Sequence, residues 1–428
     1  MGERNIKPKV KMRSKNINFI ILVSLISLFI VTELFSNEIH ICSNCEIRTL
    51  KSAIELSKEN DILIIDGGTY AEGEIEIKKP IKIIGKNLPI IDGKNQRHVI
   101  KILSSGVHIE GLKIINSGVS DVEEFAGIIT ESVSNVRIIN NIFENNTYSI
   151  YLSKTKSSLV ENNSITGNAL DEVMGGNGIH VWSSTFINIR NNKITKHRDG
   201  LYLEFSENLL IENNWSEESL RYGMHFMFSH NNIFFKNTFF KNATGVAIMY
   251  SREIIVTNNV FRKNWGNNSY GILIKDITGS KFHNNIFDEN TIAIKADSSS
   301  RNTYYGNHFK KNGWAVQIFG NCENNIFSGN SFTKNIFDIS TNSRQNENSY
   351  IGNYWDIYDG YDLDNDGIGD KPYFPVKIFS YWVANYPFLM VLFRSPVIEA
   401  LEIAERAFPV LTPSTLLDSK PKLKPFAL

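Results

Sequence analysis

The chain lacks most of the features that usually anchor a reading. It has three cysteines in 428 residues, 11 prolines, and 45 basic residues offset by 45 acidic ones. A formal charge of zero gives no electrostatic footprint for a nucleic-acid partner. Three cysteines are too few for a disulfide-built scaffold, so the 42% apolar content must supply the core. No helical spacing of apolar residues separates the short strand-like runs in the middle of the chain, which excludes helical and leucine-rich repeats. Marks of polysaccharide cleavage are also missing: there is no Gly-His-Gly, no clustered Asp pair in the repeats and no arginine ladder. Glu204, Glu207 and the turn His197-Arg198-Asp199 are isolated charges expected to be solvated. No catalytic residue is assigned.

The one uncharged apolar run of note, thirteen residues at 19–31, is short for a membrane span. Six basic residues precede it (Arg4, Lys7, Lys9, Lys11, Arg13 and Lys15), which is the pattern of a secretory signal. Residues 1–36 therefore read as an export signal. Leu34-Phe35-Ser36 puts a large residue at the usual small position of a cleavage site, so an uncleaved anchor is the alternative. Losing those six bases together with Glu3 and Glu33 leaves a mature chain with a net charge of −4. Cys42 and Cys45 open that mature chain as Cys-Ser-Asn-Cys. In an oxidising compartment they read as a small structural disulfide, with a redox or metal-binding pair as the alternative. Cys322 reads as a buried free thiol.

What the chain does have is a period. An Asn followed by apolar positions recurs at Asn141, Asn163, Asn192, Asn214, Asn237, Asn259, Asn285, Asn307, Asn330 and Asn353. The steps are 22, 29, 22, 23, 22, 26, 22, 23 and 23 residues, and the two long ones contain insertions at 169–177 and 265–269. Strands and turns repeating every 22 residues or so make a solenoid in which each coil buries its apolar side against its neighbours. Asn suits a left-handed corner, and amides stacked one coil apart can form a hydrogen-bonded ladder. Ser184, Ser206, Ser229 and Ser251 repeat that logic. The fold expected is all-β, a right-handed parallel β-helix over 61–355. Residues 37–60 hold the Cys pair and a capping helix at 47–58. Residues 356–428 form an acidic loop, a helix at 395–408 and a Pro-containing tail, either draped on the coils or offered to a partner.

Four segments give the solenoid its candidate chemistry: Gly178-Ile179-His180-Val181-Trp182, Gly200-Leu201-Tyr202-Leu203-Glu204, Gly223-Met224-His225-Phe226-Met227 and Gly245-Val246-Ala247-Ile248-Met249. Their second and fourth positions are apolar in every row and face a core. Alternation sends the third and fifth outward, gathering imidazoles and thioethers on one outer face. His180 and His225 stand about 10 Å apart at their backbones with Tyr202 between them, given a coil spacing of about 4.8 Å. His180, Glu204, His225, Met227 and Met249 are the candidate ligands, because soft sulfur with imidazole suits Cu(I). The competing reading is packing of these residues, with Met174, under the insertion or against the tail. A second motif, Asp362-Leu363-Asp364-Asn365-Asp366-Gly367-Ile368-Gly369-Asp370, copies the front of a calcium loop. Asp362, Asp364, Asp366 and Asp370 hold its positions 1, 3, 5 and 9, but Tyr373 replaces the closing Glu. A solvated loop of Asx turns is the alternative.

These motifs carry a family resemblance. Asp66-Gly67-Gly68-Thr69-Tyr70, Arg221-Tyr222-Gly223-Met224-His225-Phe226-Met227-Phe228-Ser229, Ala247-Ile248-Met249-Tyr250-Ser251-Arg252, Gly352-Asn353-Tyr354-Trp355 and Arg406-Ala407-Phe408-Pro409-Val410-Leu411 make the chain resemble the NosD-type nitrous oxide reductase maturation proteins. The resemblance implies a periplasmic, copper-binding, non-catalytic accessory protein. Its implied partners are an ABC-type permease and ATPase, nitrous oxide reductase, whose copper-sulfur centre is assembled, and a copper chaperone. His225, Met227 and Met249 match the family pattern, whereas His180 and Glu204 come from the column argument alone. The alternative is a secreted polysaccharide-binding or polysaccharide-cleaving β-helix.

Overall fold

A computed structural model describes residues 37–426, apart from 121, 174, 344–346 and 409–415. The expected signal at 1–36, Met174 and the prolines at 409 and 413 lie outside the described residues. From Glu38 onward the chain winds as a right-handed parallel β-helix, each coil giving one strand to each of three parallel sheets of 14, 12 and 13 strands. Strands alternate inward and outward, and their pairing is in register from coil to coil: Ile179 faces Leu201, Leu201 faces Met224, and Met224 faces Val246. Those four are buried, as the apolar columns require. Later coils fill the interior with aromatic rings instead, in the stack Phe239, Phe261, Phe287, Phe309, Phe332 and Trp355, at centroid spacings of 4.2–5.2 Å.

The repeated Asn residues form the expected ladder. Asn214 Nδ2 donates to Asn237 Oδ1 at 3.0 Å and Asn237 Nδ2 to Asn259 Oδ1 at 3.1 Å, and the same bond runs on to Asn353. The left-handed conformation falls one residue earlier than the expectation placed it. Asn213, Lys236, Asn258 and Asn284 have φ of 53–57°, so the corner is turned before the ladder residue, which is left free to aim its amide inward. A Ser ladder from 184 to 251 works likewise, each hydroxyl accepting the backbone N–H of the coil before it. A second Asn ladder, Asn242, Asn264, Asn290, Asn312 and Asn335, went unnoticed in the sequence.

Both ends are closed. Helix α1, Leu50–Leu56, buries Leu50, Ala53 and Ile54 and is shorter than the periodicity suggested. At its start Glu72 accepts the N–H groups of Leu50 and Lys51, and at its end Lys79 donates to the carbonyls of Ile54, Glu55 and Ser57. At the other end, the tail after 415 is draped on the last coils. The buried Asp418 carboxylate accepts from Asn353 N, Asn353 Nδ2 and Trp355 Nε1, ending the Asn ladder with an acceptor. Between them lie α2, Ile378–Asn385, a 3-10 turn at Pro387–Leu392, and α3, Pro396–Ala407, capped by Ser395 as the sequence predicts. Phe379, Val383 and Ile398 pack on Phe337 of the 12-stranded sheet. No described helix is long and apolar enough to cross a membrane.

Candidate functional site

The four chemistry-bearing segments are neighbouring strands of the 12-stranded sheet. Glycine at the second position of each strand lets the coils close up: a Cβ on Gly223 would lie 2.6 Å from the carbonyl oxygen of Gly245. The fourth side chains of successive strands then form one continuous outer column, Tyr151, His180, Tyr202 and His225, whose rings stack at 4.5, 4.8 and 4.7 Å. Trp182, Glu204, Met227 and Met249 make the neighbouring column, also in register.

These imidazoles face out of the coil as predicted, yet they are not exposed. His180 is 2% and His225 4% accessible: His180 is sandwiched between Tyr151 and Tyr202 and flanked by Tyr148, and His225 is stacked on Tyr202 with Tyr222 tilted against it and Ala247 opposite in the next coil. Burial drives the His180 pKa down to about 3, so that ring is neutral. Neither imidazole has a hydrogen-bond partner on either nitrogen. The nearest carboxylates are Glu124, 4.0 Å from His180 Nδ1, and Asp199, 3.6 Å from His225 Nδ1. Buried polar nitrogens without partners are rare in folded proteins and call for an explanation, a bound water or ion among them. Met227 and Met249 are half-buried.

Tyr202 lies between the two histidines and separates them by two stacking steps, too far for a shared ion at ordinary copper–nitrogen distances of about 2 Å. His180 therefore does not join His225, a consequence of the stack that column arithmetic alone did not enforce. Glu204 sits between Trp182 and Met227, its pKa raised by burial and then by the charge of Glu124. On the same face as His225 the register places Met227, two residues further along its own strand, and Met249, which lies opposite Met227 in the next coil, while Ala247 lies opposite His225 itself. An unpartnered imidazole beside two paired thioethers fits Cu(I).

Asp199, a solvated turn residue by its sequence context, is fully buried in the structure. Arg221 Nε donates to its Oδ1 at 2.9 Å and Arg221 Nη2 bonds its Oδ2. Burial pushes the Asp199 carboxyl up, but the Arg221 hydrogen bonds and the neighbouring His225 outweigh it and hold the group below its usual range. The signal was present: Asp199 and Arg221 are one period apart. His197, on the same turn, is also buried, its Nε2 3.2 Å from Ser149 Oγ. The two burials have different causes: His197 packs against Ser149 and Gly178 of neighbouring strands, and Asp199 is held by Arg221 and Tyr222 of the next coil.

Asp362, Asp364 and Asp366 bring carboxylate oxygens within 4.8 Å of one another, the single such group of three or more His, Cys, Asp or Glu among the described residues. Asp370 stands outside it and accepts from Leu363 N at 2.8 Å. Gly367 takes φ of 81°, the turn the motif requires. Cys42 and Cys45 form a disulfide, and Cys322 is a buried thiol whose pKa burial raises to about 11.

Fold and site together define a class: a parallel β-helix that carries buried imidazoles, with methionines in the adjoining column, on the outside of one sheet. Residues 170–360 match the family described as periplasmic copper-binding protein (NosD), and residues 32–194 match the right handed beta helix region. The chain is 30% identical over 381 residues to a protein of Stutzerimonas stutzeri named probable ABC transporter binding protein NosD, covering 84% of this chain and 86% of that one. A relative of the same name from Pseudomonas aeruginosa is 31% identical, covering 83% and 87%. This chain belongs to the NosD family. Among solved structures, a Yersinia enterocolitica family 28 exopolygalacturonase covers 73% of the chain at 11% identity with a TM-score of 0.55. The catalytic domain of a GH87 alpha-1,3-glucanase covers 75% at 11% identity with a TM-score of 0.59. Each covers most of its own chain too, 78% and 69%; these are likenesses of fold.

Proposed function

We propose that this protein is an exported, non-catalytic accessory factor that holds Cu(I) as cargo on the His225, Met227 and Met249 face during assembly of the copper-sulfur centre of nitrous oxide reductase. The observation that carries this reading is the buried His225 imidazole with no partner, beside two thioethers in register. A thioether is a neutral, polarisable donor that prefers Cu(I) to hard cations and binds weakly enough to let it go. A buried imidazole without a hydrogen bond loses nothing by taking a metal. His180 and Glu204 flank this site along their columns and serve as its neighbours, not as first ligands. A copper chaperone supplies the ion, and the reductase receives it.

The relatives' name supports work beside an ABC-type permease and ATPase. The C-terminal segment offers a surface for that contact: Phe388, Val391, Val397, Ile403 and Phe408 are exposed on the 3-10 turn and α3. The family description supports the periplasm, with residues 1–36 as the export signal. Asp362, Asp364 and Asp366 are assigned to a structural calcium ion that ties the acidic loop to the tail, which the loop meets through Gly369 N and Pro421 O at 2.8 Å.

The test is an anaerobic Cu(I) titration against a competing chelator, with the triple variant His225→Ala, Met227→Ala, Met249→Ala alongside. Tight binding abolished in the variant supports the assignment. Equal binding by both proteins refutes the ligands, and no binding by either refutes copper as cargo. The polysaccharide reading has one observation in its favour, the exposed ring stack Phe205, Phe228 and Tyr250 at 5.3 and 5.0 Å. It predicts glycan binding lost in Phe228→Ala.

A further inference from the structure

Asp199 performs no role in the ligand set above, yet a fully buried carboxylate is costly and needs a reason. Its oxygens are unequally used. Oδ1 accepts from Arg221 Nε at 2.9 Å and from Tyr222 N at 3.3 Å, while Oδ2 accepts only from Arg221 Nη2. A carboxylate oxygen has two lone pairs, so one on Oδ2 is unspent. His225 Nδ1 lies 3.6 Å from that Oδ2. Arg221 in turn is held over the Tyr222 ring at 4.9 Å, which keeps the clamp in place. Tyr202 stacks on one side of the imidazole at 4.7 Å and Tyr222 lies against it at 4.8 Å, so its plane is set by packing while Nδ1 is the nitrogen nearest Asp199.

Resting on the copper reading of this face, we infer that Asp199, clamped by Arg221, is a positioning residue that holds His225 in the Nδ1–H tautomer and so reserves Nε2 for the soft metal. The separation of 3.6 Å exceeds a hydrogen bond, but a shift of under an ångström closes it. Withdrawing positive charge from the ring edge through Nδ1–H toward a carboxylate raises the basicity of Nε2, which is how ligating histidines are commonly tuned. Because Arg221 neutralises Asp199, the pair adds no net charge to the face, and the thioethers keep their preference for a monovalent soft ion. Asp199 touches no metal in this scheme and acts through His225 alone.

Two readouts on the full mature chain test this. In the metal-free wild type at mildly alkaline pH, nitrogen-15 NMR of the His225 ring reads the tautomer directly and needs no variant. Nδ1–H is expected; Nε2–H overturns the inference. Asp199→Asn puts an amide donor beside Nδ1 and is expected to shift the ring to Nε2–H and to weaken anaerobic Cu(I) binding by about 10–100-fold. If Asp199→Asn does not fold with Arg221 unpaired, the double variant Asp199→Asn, Arg221→Gln removes both charges and carries the same expectation. Met227→Ala, the control, is expected to weaken binding without moving the tautomer. Unchanged Cu(I) affinity in an Asp199 variant, with the wild type binding, overturns this assignment alone. Failure of the wild type to bind Cu(I) overturns the copper reading and this inference with it.

Discussion

Truncating Asn237 to Ala tests what holds the coils in register. Its Oδ1 accepts from Asn214 N at 2.9 Å and Asn214 Nδ2 at 3.0 Å; its Nδ2 donates to Ile211 O at 2.9 Å, Phe235 O at 3.1 Å and Asn259 Oδ1 at 3.1 Å. After truncation some partners keep other bonds: Asn214 Nδ2 still donates to Ile189 O, and Asn259 Oδ1 still accepts Asn237 N. The Asn214 backbone N–H loses its side-chain acceptor and is sealed from water. One orphaned buried donor costs about 1–3 kcal/mol and the lost bonds about 1 kcal/mol each, so Asn237→Ala is expected to destabilise by about 3–5 kcal/mol. Asn213→Ala is the control, because Asn213 also bonds its neighbour, Asn191 Oδ1 at 2.7 Å, but on the exposed side. Its cost is expected near 1 kcal/mol, from a solvent-screened bond and a left-handed backbone. Urea unfolding followed by far-UV circular dichroism measures both. Equal shifts in midpoint would refute the claim that the inner ladder carries the register.

His197 lines up with Ser219 of the next coil and with Asn242 of the one after, and burial depresses its pKa to about 4. With an unfolded value near 6.5, the unfolded chain binds more protons between these limits, so stability is full above about pH 6.5 and falls by up to about 3 kcal/mol as pH drops to about 4. His197→Asn should flatten that part of the stability profile; an unaltered slope would show that His197 is not its source. Gly223→Ala places a Cβ 2.6 Å from a backbone carbonyl of the next coil, and should cost about 1–3 kcal/mol or more in the same urea assay. A neutral result would mean the coils can part there. Calorimetry should detect one calcium site that disappears in Asp364→Asn, and absence of heat in the wild type would remove calcium from the acidic loop.

The solenoid was legible because its determinants are local and repeated. A missing helical spacing, a step of 22 or 23 residues and inward Ile or Phe at fixed offsets leave one economical way to bury the apolar side. Ser395 and Pro396 likewise announced α3, and the Cys42–Cys45 disulfide is the bland reading of a three-residue spacing. Misreadings fell where one coil's neighbour decides the outcome. Asp199 and Arg221 look like surface charges in isolation, and only stacking one period on another brings them into contact. His197 has the sequence context of a solvated turn, and its burial depends on packing against Ser149 and Gly178 of other strands. The left-handed corner moved by one residue because the ladder amide and the turn make competing demands on the same Asn pair, and the second residue of the pair was claimed by the core.

By itself, then, the sequence determined the period, the inward and outward faces, the register that puts His180, Tyr202 and His225 in one column, and the pairing of Met227 with Met249. Each of these follows from alternation along a strand and a fixed repeat, which are one-dimensional properties. Only the tertiary structure decided which of those aligned groups can act together. Ring stacking packs Tyr202 against both histidines and so keeps His180 from His225, and burial turns outward imidazoles into dry ones. A carboxylate from the coil before meets His225 at its Nδ1 edge. Such outcomes depend on side-chain volume and solvent exclusion in three dimensions, and no spacing of letters encodes them.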